Sequence, residues 1–287
     1  SRLLRQLEQF QLLAMRRARS SLKGERRSRA RGLSVEFADH RNYVAGDDLR
    51  YLDWNVYARH GDLLLKRFQE EQDLHVYFLL DCSRSMGVGQ PAKFDLARRL
   101  VAALAYIALA DLDRVTVVSF SDDVIDEFPL TRGKARIVPL MRFLEAQQLT
   151  GTDTALQRSV QGMLHRMRRV GMAIVVSDLF DAAGFQPGLD QLRYQQFDGH
   201  ILQLHAPEEA EPNLLGDYEL RDVESDSVRR VTITERGARS YRRLFEEHQR
   251  GVRHYCRSHG FGCTQSPSTV SFDDLVLRMM RESGVHG

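Results

Sequence analysis

The sequence predicts an α/β protein built on a mostly parallel sheet flanked by helices, and three observations predict it. The run Val76-Tyr77-Phe78-Leu79-Leu80 is apolar without alternation. That pattern marks a strand buried on both faces, and such strands belong to parallel sheets. After Asp73, strand-like and helix-like segments alternate, which argues for right-handed crossovers. Hydrophobic residues make up 43% and charged residues 28% of the 287-residue chain, enough apolar material for a sizeable core.

Leu3, Leu4, Leu7, Phe10 and Ala14 recur at helical spacing, so an amphipathic helix is expected to open the chain. A basic arm follows, and residues 1–31 form the first segment. Residues 32–72 read as a small α+β extension packed on the main domain, with short β-like pieces at Leu33 to Phe37 and Leu63 to Phe68. Residues 73–287 hold the regular part. Strands are expected at Leu74–Leu80, Arg114–Phe120, Met172–Ser177 and Gly199–His205. The helices between them cover about Lys93 to Asp111, about Lys134 to Gln147, and Thr154 onward with Leu156, Val160, Met163, Leu164, Met167 and Val170 in register until Gly171 ends it. Asp217–Leu220 and Val228–Thr234 read as a hairpin inserted at about 214–234. A long charged helix from about Glu235 to His259 follows, then a short strand near Phe261–Gln265. A last helix starts at Ser271, whose hydroxyl suits an N-cap ahead of Asp273 and Asp274.

The net charge is only +2 but unevenly spread. Residues 16–31 carry eight cationic side chains against the single carboxylate of Glu25, a local charge of +7, so the other residues sum to −5. Such an arm either meets an anionic partner or lies solvated beside the acidic body. Cys82, Cys256 and Cys263 are widely spaced and form no C-x-x-C pair, which argues against a zinc ribbon or a disulfide framework. Cys82, at the end of a buried strand, reads as a small apolar residue. No apolar stretch approaches the roughly 18–20 residues that span a bilayer. Leu12-Leu13-Ala14-Met15 runs straight into Arg16-Arg17 rather than on into a signal-type segment. A cytoplasmic location is therefore expected.

The functional signal begins at Asp81-Cys82-Ser83-Arg84-Ser85, directly after the first buried strand. Ligand sites in open α/β sheets lie beyond the carboxyl ends of the strands. A carboxylate and two hydroxyls at alternate positions offer hard oxygen donors, which suit Mg²⁺ or Mn²⁺. Two further oxygen-rich loops, Thr150-Gly151-Thr152-Asp153-Thr154 and Ser177-Asp178-Leu179-Phe180-Asp181, should emerge on the same sheet edge. Asp153 reads as a first-turn helix residue, Asp181 as a loop carboxylate or a supporting one, and Ser177 as a strand end.

Asp-x-Ser-x-Ser after a buried strand, a Gly-Thr loop about 70 residues on, and an Asp after a later strand resemble a von Willebrand factor A domain and its metal-ion-dependent adhesion site. The resemblance implies a Rossmann-type sheet and a metal held by Asp81, Ser83, Ser85, Thr152 and Asp178. Thr150 is the alternative in the second loop, because the family pattern more often reads Gly-Gly-Thr. Upstream, Arg41-Asn42-Tyr43-Val44-Ala45-Gly46-Asp47-Asp48-Leu49-Arg50-Tyr51-Leu52-Asp53-Trp54, with Ala58-Arg59, is similar to the signature of a bacterial family, domain of unknown function 58 (DUF58). That likeness implies a companion of the MoxR-type AAA+ ATPase class and a chaperone-like or assembly role. Arg41, Asp47, Asp48, Arg50, Asp53, Trp54 and Arg59 form either a structural network of guanidinium–carboxylate pairs and stacking or a partner surface.

The donor set favours binding over catalysis. Two carboxylates nearly neutralise a divalent ion while hydroxyls add ligands without charge, so the ion keeps Lewis acidity and accepts a partner's Asp or Glu in place of water. The expected function is a non-enzymatic protein-interaction module. A phosphatase of the haloacid-dehalogenase type is the first rival, but its general acid two residues after the Asp is replaced by Ser83. No G-x-S-x-G elbow surrounds Ser83 or Ser85. Nucleic-acid binding through residues 16–31 is the second rival, weakened by the absence of aromatic residues there.

Overall fold

The computed structural model describes residues 35–44, 52–70, 74–151, 154–167, 169–212, 215–222, 228–271, 274–275 and 278–279. They divide into two units at the step between residues 73 and 74. The expected opening helix and the basic arm at 16–31 lie outside the described residues.

In the first unit, β1 (Val35–Asn42) is followed by α1 (Trp54–His60) and β2 (Leu64–Glu70), and the two strands pair antiparallel. α1 starts where it does because the Asp53 carboxylate accepts hydrogen bonds from the Asn55 and Val56 amides. Leu52 and Leu65, joined by an isolated bridge, are both buried.

The second unit runs β3 (His75–Asp81), α2 (Lys93–Ala110), β4 (Arg114–Phe120), β5 (Val124–Arg132), α3 (Ile137–Ala146), α4 (Leu156–Arg166), β6 (Met172–Ser177), α5 (Gln186–Tyr194), β7 (Asp198–His205) and α6 (Pro207–Ala210). It continues with β8 (Gly216–Arg221), β9 (Val228–Ile233), α7 (Glu235–Ser258) and β10 (Gly262–Pro267). A six-stranded sheet has the order β10-β7-β6-β3-β4-β5. All its pairings are parallel except β4 with β5. The expected mostly parallel α/β sheet is thus observed, and β8 with β9 makes the expected hairpin as a separate two-stranded sheet.

β3 explains its own lack of alternation. Val76, Phe78 and Leu80 pack under α2 and α3 against Leu100, Val101 and Leu140, whereas Tyr77 and Leu79 pack on the opposite face against Val160 and Met163 of α4, Leu189 of α5 and Val252 of α7. Each such side chain contributes about 1.5–3 kcal/mol when removed from water. α7 buries Phe245, Val252 and Cys256, and Tyr255 packs half-buried against the same core, so most of the rest of its 24 residues can be charged. No helix among the described residues is long and apolar enough to cross a membrane.

Beyond the short helices α1 and α6, which are not among the expected elements, three elements differ from expectation. β5 escaped notice because it is an antiparallel edge strand buried only at Phe128. α5 escaped because it is nine residues long, opens on Gln186-Pro187-Gly188 and shows little apolar periodicity. α4 stops at Arg166 rather than running to Gly171. Gly171 serves another purpose, since a Cβ there would overlap the backbone carbonyl of His75, so only glycine lets β6 begin beside β3.

Candidate functional site

β3 and β6 are neighbours at the centre of the sheet. From β3 the next strand in the chain, β4, lies to one side, and from β6 the next, β7, lies to the other. The carboxyl ends of these two strands therefore border the crevice where the winding direction reverses, the position at which α/β sheets bind ligands. Asp81 is the last residue of β3, and Asp178 follows β6 directly.

The backbone locks the first loop before any side chain acts. The Cys82 amide donates to the Phe120 carbonyl of β4 at 2.7 Å, and the Cys82 carbonyl accepts from the Thr150 amide at 2.8 Å. The first and second loops are therefore tied together through Cys82. A 3-10 turn, Arg84–Gly87, then brings Ser85 within hydrogen-bond reach of Asp178, the residue after β6.

Asp81 is fully buried and accepts twice: from the Ser83 amide at 2.8 Å on Oδ1 and from the Ser177 hydroxyl at 2.5 Å on Oδ2. Ser83 Oγ lies 3.0 Å from Ser85 Oγ, and Ser85 Oγ donates to Asp178 Oδ2 at 2.8 Å. Asp178, also fully buried, accepts the Phe180 amide at 3.1 Å on Oδ1, while Gln203 Nε2 donates to its backbone carbonyl at 3.1 Å. The structure thus gathers Asp81, Ser83, Ser85 and Asp178 in one network. Thr152 and Asp153 lie outside the described residues. Thr150 is exposed and meets the cluster through its backbone.

Sequence reasoning missed two charged residues. Lys93, the first residue of α2, is fully buried, and its Nζ donates to Asp178 Oδ2 at 2.7 Å and to Glu209 Oε1 at 2.5 Å. Glu209 belongs to the short α6 after β7 and also accepts the Ala206 amide at 2.7 Å. Phe180 covers the ammonium with its ring centroid 5.5 Å away. A lysine at the start of an amphipathic helix reads as solvated, and its partners stand 85 and 116 residues further along the chain, so no local pattern signals the contact. Ser177 and Asp181 also do more than expected. Ser177 holds Asp81, and Asp181 accepts the Leu156 amide at 2.9 Å, joining the third loop to the start of α4.

The electrostatics follow from burial. Desolvation, then the like charge of Asp178, pushes the Asp81 carboxyl up to about 7, with the Ser177 and Ser83 hydrogen bonds opposing. Burial acts to lower Lys93, but the Asp178 and Glu209 carboxylates outweigh it and its ammonium is held above the ordinary lysine value. Burial raises Glu209 despite the pull of Lys93. Burial also pushes the Cys82 thiol up, away from the reactive thiolate, which fits its reading as an apolar filler.

The donor chemistry fits a small dication. Octahedral Mg²⁺ with bonds of about 2.1 Å sets neighbouring ligand oxygens about 3.0 Å apart. The Ser83–Ser85 and Ser85–Asp178 oxygen separations of 3.0 and 2.8 Å match two adjoining edges of that octahedron. Asp81, Asp178 and Glu209 with Lys93 sum to −2 when all are ionised, the complement of one dication. Among the described residues no group of three or more His, Cys, Asp or Glu side chains is placed to hold a metal ion, so any ion here would rely on the Ser83 and Ser85 hydroxyls beside two carboxylates.

In the first unit, Asp53 has the structural task of capping α1, and Arg41 stands opposite Leu65 in the β1–β2 ladder. Trp54 is 60% exposed and meets Tyr57 edge-on at 6.2 Å, and Arg59 is exposed in the last turn of α1. Asp47, Asp48 and Arg50 lie outside the described residues.

The family model described as "Protein of unknown function DUF58" matches residues 39–254. Similar curated proteins are the uncharacterized protein Mb1516 of Mycobacterium bovis and the uncharacterized protein Rv1480 of Mycobacterium tuberculosis. Each is 25% identical over 208 residues, a match covering 70% of this chain and 65% of theirs, so the chain spans about 65% of their length. Among solved structures, the conserved hypothetical protein BatB from Bacteroides thetaiotaomicron is similar with a TM-score of 0.48 and 15% identity, over 73% of this chain and 98% of that one. The pilus adhesin SpaC from Lactobacillus rhamnosus GG has a TM-score of 0.46 and 12% identity, over 76% of this chain and 30% of that one.

Proposed function

Starting from the fact that this chain belongs to the DUF58 family, we propose that it is a non-enzymatic interaction module of the von Willebrand A type. A divalent cation, Mg²⁺ or Mn²⁺, is held at an adhesion-type site by Asp81, Ser83, Ser85, Thr152 and Asp178, and an acidic side chain of a partner protein completes its coordination. The observation that carries the reading is the pair of 3.0 and 2.8 Å oxygen contacts linking Ser83, Ser85 and Asp178 at the switch point of the sheet. The buried floor supports it as well. Asp81 and Asp178 supply charge, Ser177 and the Ser83 amide orient Asp81, and the amide of Phe180 and the side chain of Gln203 orient Asp178. When bound, the cation supplies Lewis acidity toward a carboxylate.

Hydrolysis is disfavoured by the residues present. The position two beyond Asp81 is a buried serine, Ser83, which cannot act as a carboxylic general acid. A MoxR-type AAA+ ATPase is the companion we propose, on the likeness of the Arg41–Arg59 segment to the family signature.

Calorimetric titration tests the site. Wild-type protein is expected to bind Mg²⁺ or Mn²⁺ in the micromolar to millimolar range, and Ser85→Ala, which deletes the oxygen shared by both octahedral edges, to bind at least about tenfold more weakly, or about 1.4 kcal/mol. Equal affinity in the two proteins, or no binding in wild type, overturns the proposal.

A further inference from the structure

The feature of the site that a hydroxyl-rich metal pocket does not call for is Lys93. Its ammonium is fully buried and donates to Asp178 Oδ2, the same oxygen that accepts from Ser85. Its second partner, Glu209, is held in place independently by the Ala206 amide. A buried ammonium stands only where carboxylates compensate it, and here the two that do so play unequal parts. One belongs to the proposed metal cluster, and the other lies outside it.

We infer that Lys93 is a tethered cation that competes with the divalent ion for Asp178, and that Glu209 is the acceptor onto which the ammonium shifts when the ion takes that oxygen. The inference rests on the metal reading of the site and concerns its regulation. Without the dication, Lys93 neutralises Asp178 and keeps the crevice closed by an internal ion pair. With it, Asp178 turns to the ion and Lys93 stays compensated by Glu209. Because Glu209 sits on α6, just beyond β7, the exchange makes the hold on that short helix depend on occupancy of the site. No covalent step is involved. One N–H···O contact is given up and another is strengthened.

Charge predicts opposite signs for the two neutral variants. Lys93→Gln removes the competitor and leaves the remaining groups more negative, so Mn²⁺ should bind about tenfold more tightly than to wild type. Glu209→Gln leaves the ammonium no carboxylate except Asp178, so Mn²⁺ should bind about tenfold more weakly. Arg239→Gln, which removes an exposed ion pair with Glu235 on α7, should change affinity less than twofold. Mn²⁺ titration by calorimetry, with melting temperatures in chelator and in saturating Mn²⁺, reads all four proteins. In chelator, Lys93→Gln should melt below wild type, because Asp178 and Glu209 lose their counter-ion, and saturating Mn²⁺ should narrow that gap without closing it, since a tenfold gain in affinity returns only about 1.4 kcal/mol. Unchanged or weaker binding by Lys93→Gln, or tighter binding by Glu209→Gln, overturns it while leaving the metal site standing. Absence of binding in every protein overturns the metal reading and the inference together.

Discussion

With metal chelated at pH 8, Asp81→Asn is expected to be more stable than wild type by about 4 kcal/mol, and to lose that advantage as the pH falls toward 4. The reason lies in the raised Asp81 carboxyl, about 7 in the folded protein against an ordinary 3.8. Between those values the folded state keeps the proton and the unfolded state has released it. Folding therefore takes up a proton, and stability falls as pH rises from about 4 to about 7 and then levels off. A difference of that size is worth about 4 kcal/mol at about 1.4 kcal/mol per pH decade. Asparagine is neutral throughout, so it escapes the cost, and its side-chain carbonyl can still accept the Ser83 amide.

Other groups tilt the curve the other way. Burial lowers His200 to about 4 and also lowers His205 and His248, so each loses its proton on folding, and this share of stability rises with pH up to about 6.5. Wild type should accordingly show a shallow net profile, and the variant a rising one. Denaturant unfolding of both proteins from pH 4 to 8 in chelator isolates Asp81 in the difference between the curves. An Asp81→Asn protein less stable than wild type at pH 8 contradicts the account. In saturating Mn²⁺ the order should invert, because the cation compensates the buried carboxylate in wild type and finds a weaker site in the variant.

Gly151→Ala should cost both fold and site, about 2–4 kcal/mol of stability and at least about tenfold in Mn²⁺ affinity. Gly151 holds φ at +84°, and a Cβ on it would overlap the buried Ser121 hydroxyl and lie 2.8 Å from the Ser121 Cβ. The left-handed conformation costs alanine about 1 kcal/mol, and forcing a methyl group into packed surroundings costs about 1–3 kcal/mol more. Ser121 cannot easily yield, since its carbonyl accepts the Ala155 amide at 2.8 Å and its hydroxyl donates to Asp122 at 2.8 Å. The loop must move instead, and the next residue is Thr152. Gly61→Ala provides the control. Its φ of +76° is also left-handed, but nothing stands within 4 Å of its Cβ. It should lose about 1 kcal/mol and bind metal normally. Thermal unfolding with Mn²⁺ titration of both variants decides, and equal metal affinity in Gly151→Ala and wild type would show that this turn does not carry the site.

Much of the site was legible because its residues sit next to strong local signals. Asp81, Ser83 and Ser85 follow a strand whose apolar run is unmistakable, and Asp178 follows the similar run Ala173–Val176. Two parallel strands place their carboxyl ends on one edge, so reading the strands already brings these loops together. Ser177 was undervalued because a serine at a strand end has many uses, and only the position of Asp81 across the sheet selects one. Edge strand β5 and the short α5 were hidden for a related reason, since each buries too few side chains to impose a period.

The sequence by itself determined the α/β alternation, the central strands, the hairpin and the carboxylate–hydroxyl cluster at the strand ends, because burial on both faces and turn chemistry are written in consecutive residues. Only the tertiary structure decided that Lys93 stands inside the cluster, between Asp178 and Glu209. Composition fixes how many charges a chain carries. Which of them are buried together, and so which must compensate one another, is decided by contacts between residues far apart in the chain, where a single ion pair outweighs any local preference.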